Sequence, residues 1–422
     1  MFAQIKQIFN PKNRDLLNKI LYTFAALFIF KLGTSIVVPG YDQSGINSLG
    51  FLELINIMGG GALEQFSIFA LGVMPYITAS IIMQLIQMLE VIPYLTELSK
   101  QGATGRNKLN SITRCVGIGL AFIQGYMISF TFVPNGDPIQ LLQFSLVLTA
   151  GTAFLLWLGD QITAKGIGNG ISLIIMAGII STLPSMFVSA YDSIVNGLSS
   201  SQFMGILSFI LFVVAYIAIV IGIIFEETAE RRIQVQYANK TTGTVGGNKS
   251  YIPFKLNSAG VVPVIFSSAL ISIPSVIAEF INSEGLATFV TNWINYTSVT
   301  GFILYVLLIV GFAYFYAFMQ LKPHDIAENL QKNGGFIPGV RPGDATEKHI
   351  TDIISRLTLV GAIFIAILAG IPVIFGTITG LNSITLGGTG LLIVVGVALE
   401  TYRQIQSELT TREYAKGRRR RA

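Results

Sequence analysis

The feature that most restricts the fold of this chain is a series of ten apolar runs, each about long enough to cross a membrane as a helix. A spanning helix needs roughly 20 mostly apolar residues. Charged residues make up only 12% of the 422 residues and hydrophobic residues 52%, which is too little charge to cover a soluble protein of this length. We therefore predict an all-α integral membrane protein with ten spanning helices. The runs, numbered 1 to 10 in chain order, are approximately 16–38, 67–93, 109–133, 141–160, 170–187, 203–226, 258–282, 300–321, 351–375 and 382–402.

Basic residues lie almost entirely on one set of alternating loops. Of the 27 lysines and arginines, 26 lie before run 1, between runs 2 and 3, 4 and 5, 6 and 7, or 8 and 9, at the adjoining run ends, or after run 10. The opposite loops contain none. Because basic loops stay on the cytoplasmic side, we predict a multi-pass protein with both termini in the cytoplasm.

Lys31 is the one exception, because it lies inside run 1. At ~1.5 Å per residue it is about 22 Å along a helix from Leu16. Its ammonium group could face a water-filled interior or a partner helix. It could equally reach the outer surface near Pro39. The sequence leaves both alternatives open.

Two sequence repeats relate the first five runs to the last five. Residues 72–80 in run 2 and 260–268 in run 7 share Gly, Val, Pro, Ile and Ser at the same positions, and residues 168–175 opening run 5 resemble 388–395 opening run 10. A repeat of five helices crosses the membrane an odd number of times, so its second copy is inverted. Matching Gly and Pro breaks in two inverted halves indicate a working centre, although both residues are common in membrane helices anyway.

These features suggest a division of the chain into four parts. We predict an N-terminal half at 1–226 with runs 1 to 6, a cytoplasmic loop at 227–257, a C-terminal half at 258–402 with runs 7 to 10, and a basic cytoplasmic tail at 403–422.

Residues suited to catalysis or metal binding are scarce in the apolar runs. Their acidic residues all lie near run ends, and the only histidines, His324 and His349, lie in a polar stretch. The single Cys115 excludes a disulfide within the chain and a cysteine-based metal site. Residues 246–250 lack the spacing of a phosphate-binding loop. We predict no enzyme activity, metal or cofactor, so an energy source would have to come from a partner.

Aliphatic residues lie beside the Gly and Pro breaks instead. A hydrophobic constriction blocks water and ions by dewetting, and it cannot select a particular polar substrate because it offers no hydrogen bonds. The alternative is that these side chains simply pack or face lipid. The residues are Val73, Ile77, Ile171, Ile175, Ile265 and Ile393.

Three segments resemble the SecY/Sec61-alpha family of protein-conducting channels. Residues 67–86 resemble its first signature, 157–172 its second, and 335–343 its fifth cytoplasmic loop. The similarity extends over nearly the whole chain. It implies two inverted five-helix halves that form a clamshell around a central pore in the bacterial cytoplasmic membrane. Such a channel passes unfolded secretory polypeptides and releases signal or transmembrane segments sideways into the lipid bilayer.

The resemblance also implies roles for individual residues. The six aliphatic residues would form a pore ring, which Val73 should loosen slightly because the family favours isoleucine. Residues 59–66 would be a plug that seals the outer funnel. Its central residues are Gly60, Gly61, Ala62, Leu63 and Glu64.

Runs 2, 3, 7 and 8 would line a lateral gate for signal sequences. Thr78, Gln124 and Asn257 match polar gate positions, and polar groups in lipid tend to bond each other across helix interfaces.

Three arginines would serve as docking residues, and partners follow from the same resemblance. Arg231, Arg232 and Arg341 lie on the loops that dock the SecA motor ATPase or the ribosome, although they could be ordinary topology charges. The family pairs with small SecE and SecG subunits. Arg418 to Arg421 depart from the family pattern and could contact anionic lipid or ribosomal RNA, or act only as a topology signal.

A secondary transporter of small solutes is the main alternative function, because inverted repeats with broken helices also serve that class. The missing buried ion chemistry, the apolar centre and the large loops at 227–257 and 322–350 favour the channel. An intramembrane enzyme is a distant third.

Overall fold

The ten apolar runs form ten long helices in the computed structural model of the chain. It describes residues 14–41, 53–88, 90–133, 136–197, 202–237, 250–281, 284–295, 298–379 and 382–419. Helices for runs 1 to 10 are α1 (Arg14–Thr34), α3 (Met74–Met88), α5 (Gly102–Phe132), α6 (Pro138–Lys165), α7 (Gly170–Tyr191), α8 (Gln202–Thr228), α9 (Val262–Ile281), α11 (Val299–Leu321), α13 (Asp344–Thr379) and α14 (Asn382–Arg419). Shorter elements are α2 (Glu53–Met58), α4 (Pro93–Lys100), a π-helical turn (Asp192–Gly197), α10 (Glu284–Trp293), α12 (Pro323–Lys332) and the strands β1 (Glu230–Tyr237), β2 (Ser250–Lys255) and β3 (Gly335–Phe336).

Seven of the described helices are long and apolar enough by themselves to cross a membrane. Helix α3 is shorter than predicted, with 15 residues, because residues 67–73 form turns. Gly72 has a φ of 55°, which glycine adopts without steric cost. Pro75 is the second residue of α3, where its missing N–H leaves no helical hydrogen bond unmade. The predicted run 2 therefore starts too early as a helix.

The same break precedes α9 in the second half of the chain. Gly260 has a φ of 60° and Pro263 is the second helical residue. Each break leaves a glycine carbonyl without a helical partner, and a different side chain donates a hydrogen bond to each. Thr152 Oγ1 donates to the Gly72 oxygen at 3.2 Å, and Asn257 Nδ2 donates to the Gly260 oxygen at 3.1 Å. This repeat thus extends from sequence to backbone conformation.

The second sequence repeat does not extend to the backbone. Gly168 has a φ of 88° and ends the loop before α7, whereas residues 388–390 lie within the continuous helix α14. The helix begins at Asn382, where the predicted run 10 begins, so residues 388–390 lie inside it and do not open it.

Helix pairing follows the same scheme in both groups of five runs. The main pairs in the first group are runs 1 and 4, 1 and 5, 2 and 3, 3 and 4, and 4 and 5. In the second group they are runs 6 and 9, 6 and 10, 7 and 8, 8 and 9, and 9 and 10. Adding five to every member of the first set gives the second. The inversion of one group stays a prediction, but the shared pairing favours a structural duplication.

The same helix pairing can be compared with the predicted division of the chain into two halves. Helix α8 packs against α13 and α14, as α1 packs against α6 and α7. These contacts group run 6 with the C-terminal runs, whereas the predicted division places it in the half at 1–226.

The two large polar loops join in one small sheet. Strand β1 pairs antiparallel with β2 and with β3, which gives the order β2-β1-β3. Ile233 and Val235 of β1 face a core shared with α12 and the start of α13. The sequence had indicated only loops here, but the paired strands make one folded unit of them.

Helix α10 carries an exposed apolar stripe beside the spanning helix α11. Leu286, Phe289 and Trp293 are exposed at helical spacing, and Thr300 Oγ1 donates to the Asn292 oxygen at 3.1 Å, which ties α10 to α11. Tryptophan is enriched at membrane interfaces. We expect α10 to lie in the headgroup region of the bilayer.

Fluorescence of Trp293 tests this placement, because the chain has only two tryptophans. In a Trp157→Phe variant, lipids brominated near the headgroup should quench most of the emission, and aqueous iodide should quench little. The reciprocal Trp293→Phe variant leaves the exposed Trp157 as a control for a spanning helix. Strong iodide quenching of Trp293 would place α10 in water instead.

Candidate functional site

The six residues predicted to form a ring lie in one apolar cluster. Val73, Ile175 and Ile393 are at most 5% exposed, and Ile77, Ile171 and Ile265 pack against the same cluster. They come from α7, α9, α14 and the start of α3, so both groups of helices contribute. The sequence placed these residues on separate helices, and the structure brings them together.

A side-chain cap and a close contact between two helices position Ile171 and Ile175 of α7. The Asn169 side chain caps α7, where its Oδ1 accepts from the backbone nitrogens of Ile171 and Ser172 at 3.1 and 3.4 Å. A methyl group on Gly170 would overlap the carbonyl oxygen of Gly159 in α6. Only glycine lets the start of α7 approach α6 this closely, and the approach fixes where Ile171 and Ile175 point.

The segment predicted as a plug packs against this cluster. Ala62 is fully buried in the cluster and Met58 joins it, whereas Leu63 is buried in a neighbouring cluster of the first helix group. Glu64 is exposed. The prediction missed α2, whose six residues directly precede the predicted segment.

Asn56 makes this segment a compact unit. Its Oδ1 accepts from the Glu64 nitrogen at 3.0 Å, and its backbone oxygen accepts from Gly61 N at 2.8 Å. Because Asn56 is 7% exposed, these bonds lie in the interior and join α2 to residues 61–64.

A cavity of about 350 Å³ lies against the cluster from another direction. Ile175, Ile265 and Ile393 belong to its apolar lining. Its polar lining is Ser172, Glu227, Lys255, Asn257, Ser258, Tyr316, Gln320, Glu400 and Arg403.

The order of contacts along α7 relates the cavity, the cluster and the plug segment. Ser172 lines the cavity, Ile175 belongs to the cluster, and Gly178 and Ser181 contact Gly60. At ~1.5 Å per residue these positions span about 14 Å along the helix axis. The aliphatic cluster therefore separates the cavity from the plug segment.

The predicted gate helices meet in an apolar seam. Ile77, Ile81 and Leu85 of α3 pack with Val262 and Phe266 of α9. Phe312 of α11 completes the cluster, with its ring centroid 5.6 Å from that of Phe266.

No hydrogen bond joins the three predicted polar gate residues to one another in the described part of the chain. Thr78 Oγ1 donates to the Met74 oxygen of its own helix at 3.1 Å. Asn257 is buried and donates to Gly260 and, at 3.5 Å, to Glu227 Oε1. Neither is bonded to the half-buried Gln124. Asn257 is used within its own helix group because the broken start of α9 leaves a carbonyl to satisfy.

The predicted docking arginines lie on the two polar loops that the small sheet joins, and all three are exposed. Side chains alternate along a strand, so Arg231 lies on the face of Ile233 and Arg232 on the opposite one. The Arg232 guanidinium lies 4.9 Å from the Tyr251 ring centroid and 3.6 Å from Glu230. Arg231 and Arg232 therefore lie on opposite faces of β1.

Arg341 lies in a well-defined turn after β3. Thr346 Oγ1 donates to its backbone oxygen at 2.8 Å, and Gly339 and Gly343 on either side have φ values of 86° and 96°. The turn holds the backbone while the side chain stays in solvent.

Two ion pairs between spanning helices had no sequence prediction. Arg114 of α5 pairs with Asp160 of α6 at 2.6 Å, and Lys19 of α1 with Glu408 of α14 at 2.8 Å. Since Leu409 is buried beside Leu16, the start of the predicted basic tail is a packed helix. Arg420 and Arg421 lie outside the described residues.

Ten helices in two groups that meet at an apolar cluster are typical of helical membrane channels and transporters. Comparison with known proteins narrows this class. Residues 67–402 match the SecY family. The protein translocase subunit SecY of Staphylococcus epidermidis is 46% identical over 98% of this chain and 99% of its own length, and that of Bacillus subtilis is 46% identical over 95% and 96%. The chain belongs to the SecY family, which consists of channel subunits and not of enzymes.

Solved structures agree with this fold at lower sequence identity. The structure described as a protein conducting channel has a TM-score of 0.67 at 21% identity, over 93% of this chain and 92% of its own. A SecY structure from work on its plug domain has a TM-score of 0.67 at 20% sequence identity. Sec61 in a canine ribosome-channel complex has a TM-score of 0.65 at 20% identity, and both cover the same shares of the two chains.

Proposed function

We propose that this chain is the protein-conducting subunit of a bacterial translocase, and that the aliphatic cluster is its pore ring. The observation that carries this proposal is the meeting of six aliphatic side chains from both helix groups between the polar cavity and the plug segment. An unfolded secretory polypeptide would enter through the cavity, pass the ring and displace the plug.

An apolar ring suits cargo of varied sequence. Aliphatic side chains exclude water from a narrow opening and so block ions, yet they offer no hydrogen bond that would favour one polar group over another. A solute transporter needs selective polar contacts at its centre. The apolar lining of this cluster therefore supports the channel over the transporter.

The contacts between the helix groups support a lateral opening. Helices α7 and α14 pack extensively, whereas α3 and α5 make far fewer contacts with α9. We propose that the α7–α14 side is the hinge and that the seam of Ile77, Ile81, Leu85, Val262, Phe266 and Phe312 is the lateral gate. An apolar seam costs little to open into lipid, because hydrocarbon replaces hydrocarbon.

The cytoplasmic unit is the proposed docking surface for an energy source. Arg341 is best placed for this role, since its turn is fixed and its side chain is free in solvent. The SecA motor ATPase or a ribosome would bind here, with SecE and SecG as companion subunits and both termini of the chain in the cytoplasm. The solved ribosome-channel complex of a structural neighbour supports the ribosome as a binding partner.

Crosslinking of a stalled secretory chain tests the conduction path. The single native cysteine should first be replaced by Cys115→Ser, because it is exposed. Cysteines placed at Ile77, Ile171 or Ile393 should then form disulfides with a cysteine in the stalled segment. Cysteines at Leu211 and Phe225 of α8, which are both 71% exposed, serve as membrane-facing controls. Crosslinks at the controls but none at the ring positions would remove the ring from the path.

A further inference from the structure

Lys31 makes hydrogen bonds in the structure that the sequence could not predict. Its Nζ donates to the carbonyl oxygen of Gly60 at 3.2 Å and to Ser181 Oγ at 3.3 Å. Lys31 belongs to α1, Ser181 to α7 and Gly60 to the plug segment. The ammonium group therefore joins two spanning helices to the plug instead of only reaching toward the membrane surface.

The shape of α7 allows the plug backbone to lie directly on it. A methyl group on Gly178 would come within 2.4 Å of the Met58 oxygen, and one on Gly60 within 3.2 Å of the Gly178 Cα. Gly60 also has a φ of 76°, which disfavours any other residue. The contact is thus made by backbone on both sides, and its main specific polar component is the Gly60 carbonyl.

The hydrogen bonds around Ser181 identify the donor to that carbonyl. Ser181 Oγ lies 2.8 Å from the Gly178 oxygen and 3.4 Å from the Gly60 oxygen. A hydroxyl has one proton to donate, and the shorter distance assigns it to Gly178. Ser181 therefore acts mainly as an acceptor for Lys31, and the ammonium is the main donor to Gly60.

We propose that Lys31 is a positioning residue that latches the closed plug through the Gly60 carbonyl, with Ser181 orienting the ammonium group. This inference rests on the proposed role of residues 59–66 as a plug. A backbone carbonyl as the target makes the latch independent of plug side chains. A hydrogen bond from a charged donor is stronger than a neutral one, yet a single such bond remains easy to break when a polypeptide enters.

Hydrogen exchange and ion leak of the same variants test the latch. Lys31→Met keeps a side chain of similar length without the charge. Amides in residues 53–66 should then exchange roughly tenfold faster, as expected for the loss of one charge-assisted hydrogen bond, and resting leak in planar bilayers should rise. Lys31→Arg should restore both values toward those of the unchanged chain, and Ser181→Ala should give a smaller change in the same direction.

The possible outcomes separate the latch from the proposed function. Unchanged exchange and leak in both Lys31→Met and Ser181→Ala would overturn the latch. If serines at the ring positions still raise the leak, the channel proposal stands without it. If exchange rises in Lys31→Met over the whole chain and not only in residues 53–66, Lys31 is a general stability residue, and the latch is again rejected. Accelerated exchange confined to residues 53–66 and rescued by arginine supports it.

Discussion

Replacing Ile77, Ile171, Ile265 and Ile393 together by serine should raise the resting ion conductance of the channel at least about tenfold. Burial of one aliphatic side chain is worth roughly 1.5–3 kcal/mol, and about 1.4 kcal/mol corresponds to a factor of ten. All four side chains pack in the cluster between the cavity and the plug segment. Hydroxyl groups there would let water enter and ions follow. Single-channel recording in planar bilayers measures the leak.

The matched control carries four serines on the outer surface of α8. Ile206, Ile210, Ile217 and Ile221 are all exposed there, so their replacement changes composition equally without touching the cluster. Its conductance should match that of the unchanged chain. Equal leak in the two four-serine variants would show that the effect is general destabilisation and would deny the cluster a sealing role.

Reversing the charge of Arg341 should reduce motor-driven secretion at least about tenfold while the protein stays folded and inserted. Like charges brought together at an interface cost several kcal/mol. Folding should be unaffected, because Arg341 is exposed and its turn is fixed by the backbone bond to Thr346. Secretion into inverted membrane vesicles, with protein amounts checked by immunoblot, gives the measurement.

Lys332→Glu provides the control for Arg341→Glu. It makes the same change in net charge on α12, in the folded unit formed by the two polar loops, but at a residue whose ammonium group already pairs with Glu328 at 2.7 Å. Secretion should fall far less. If Arg341→Glu secretes normally, Arg341 is only a charge that sets topology, and docking must use other groups.

The sequence predicted the spanning helices well because their signal is local. An apolar run of about 20 residues has few alternatives in lipid, so each of the ten runs corresponds to a helix. The errors fall where backbone geometry overrides hydropathy. Run 2 begins with turns because Gly72 takes a left-handed conformation, and α4 separates from α3 near Pro93.

Longer-range features were harder to predict. Helix α2 is too short for a periodic pattern to show, and β3 pairs with β1 about 100 residues away in the chain. The sequence did not predict that Asn257 bonds the Gly260 oxygen, a carbonyl that the glycine break next to it leaves without a helical partner. The contact of Lys31 with Gly60 depends on how α1, α7 and the plug pack together, which no single run determines.

The two capped carbonyls beside the ring have a consequence for how fast a chain can move. The oxygens of Gly72 and Gly260 are already bonded to Thr152 and Asn257, and the ring side chains are all hydrocarbon. In the proposed pore, a passing polypeptide would therefore meet few unpaired polar groups at the ring to which its own peptide groups could bond. Friction there should depend on the bulk of each side chain and hardly on its polarity, so that bulky residues set the pace of transit.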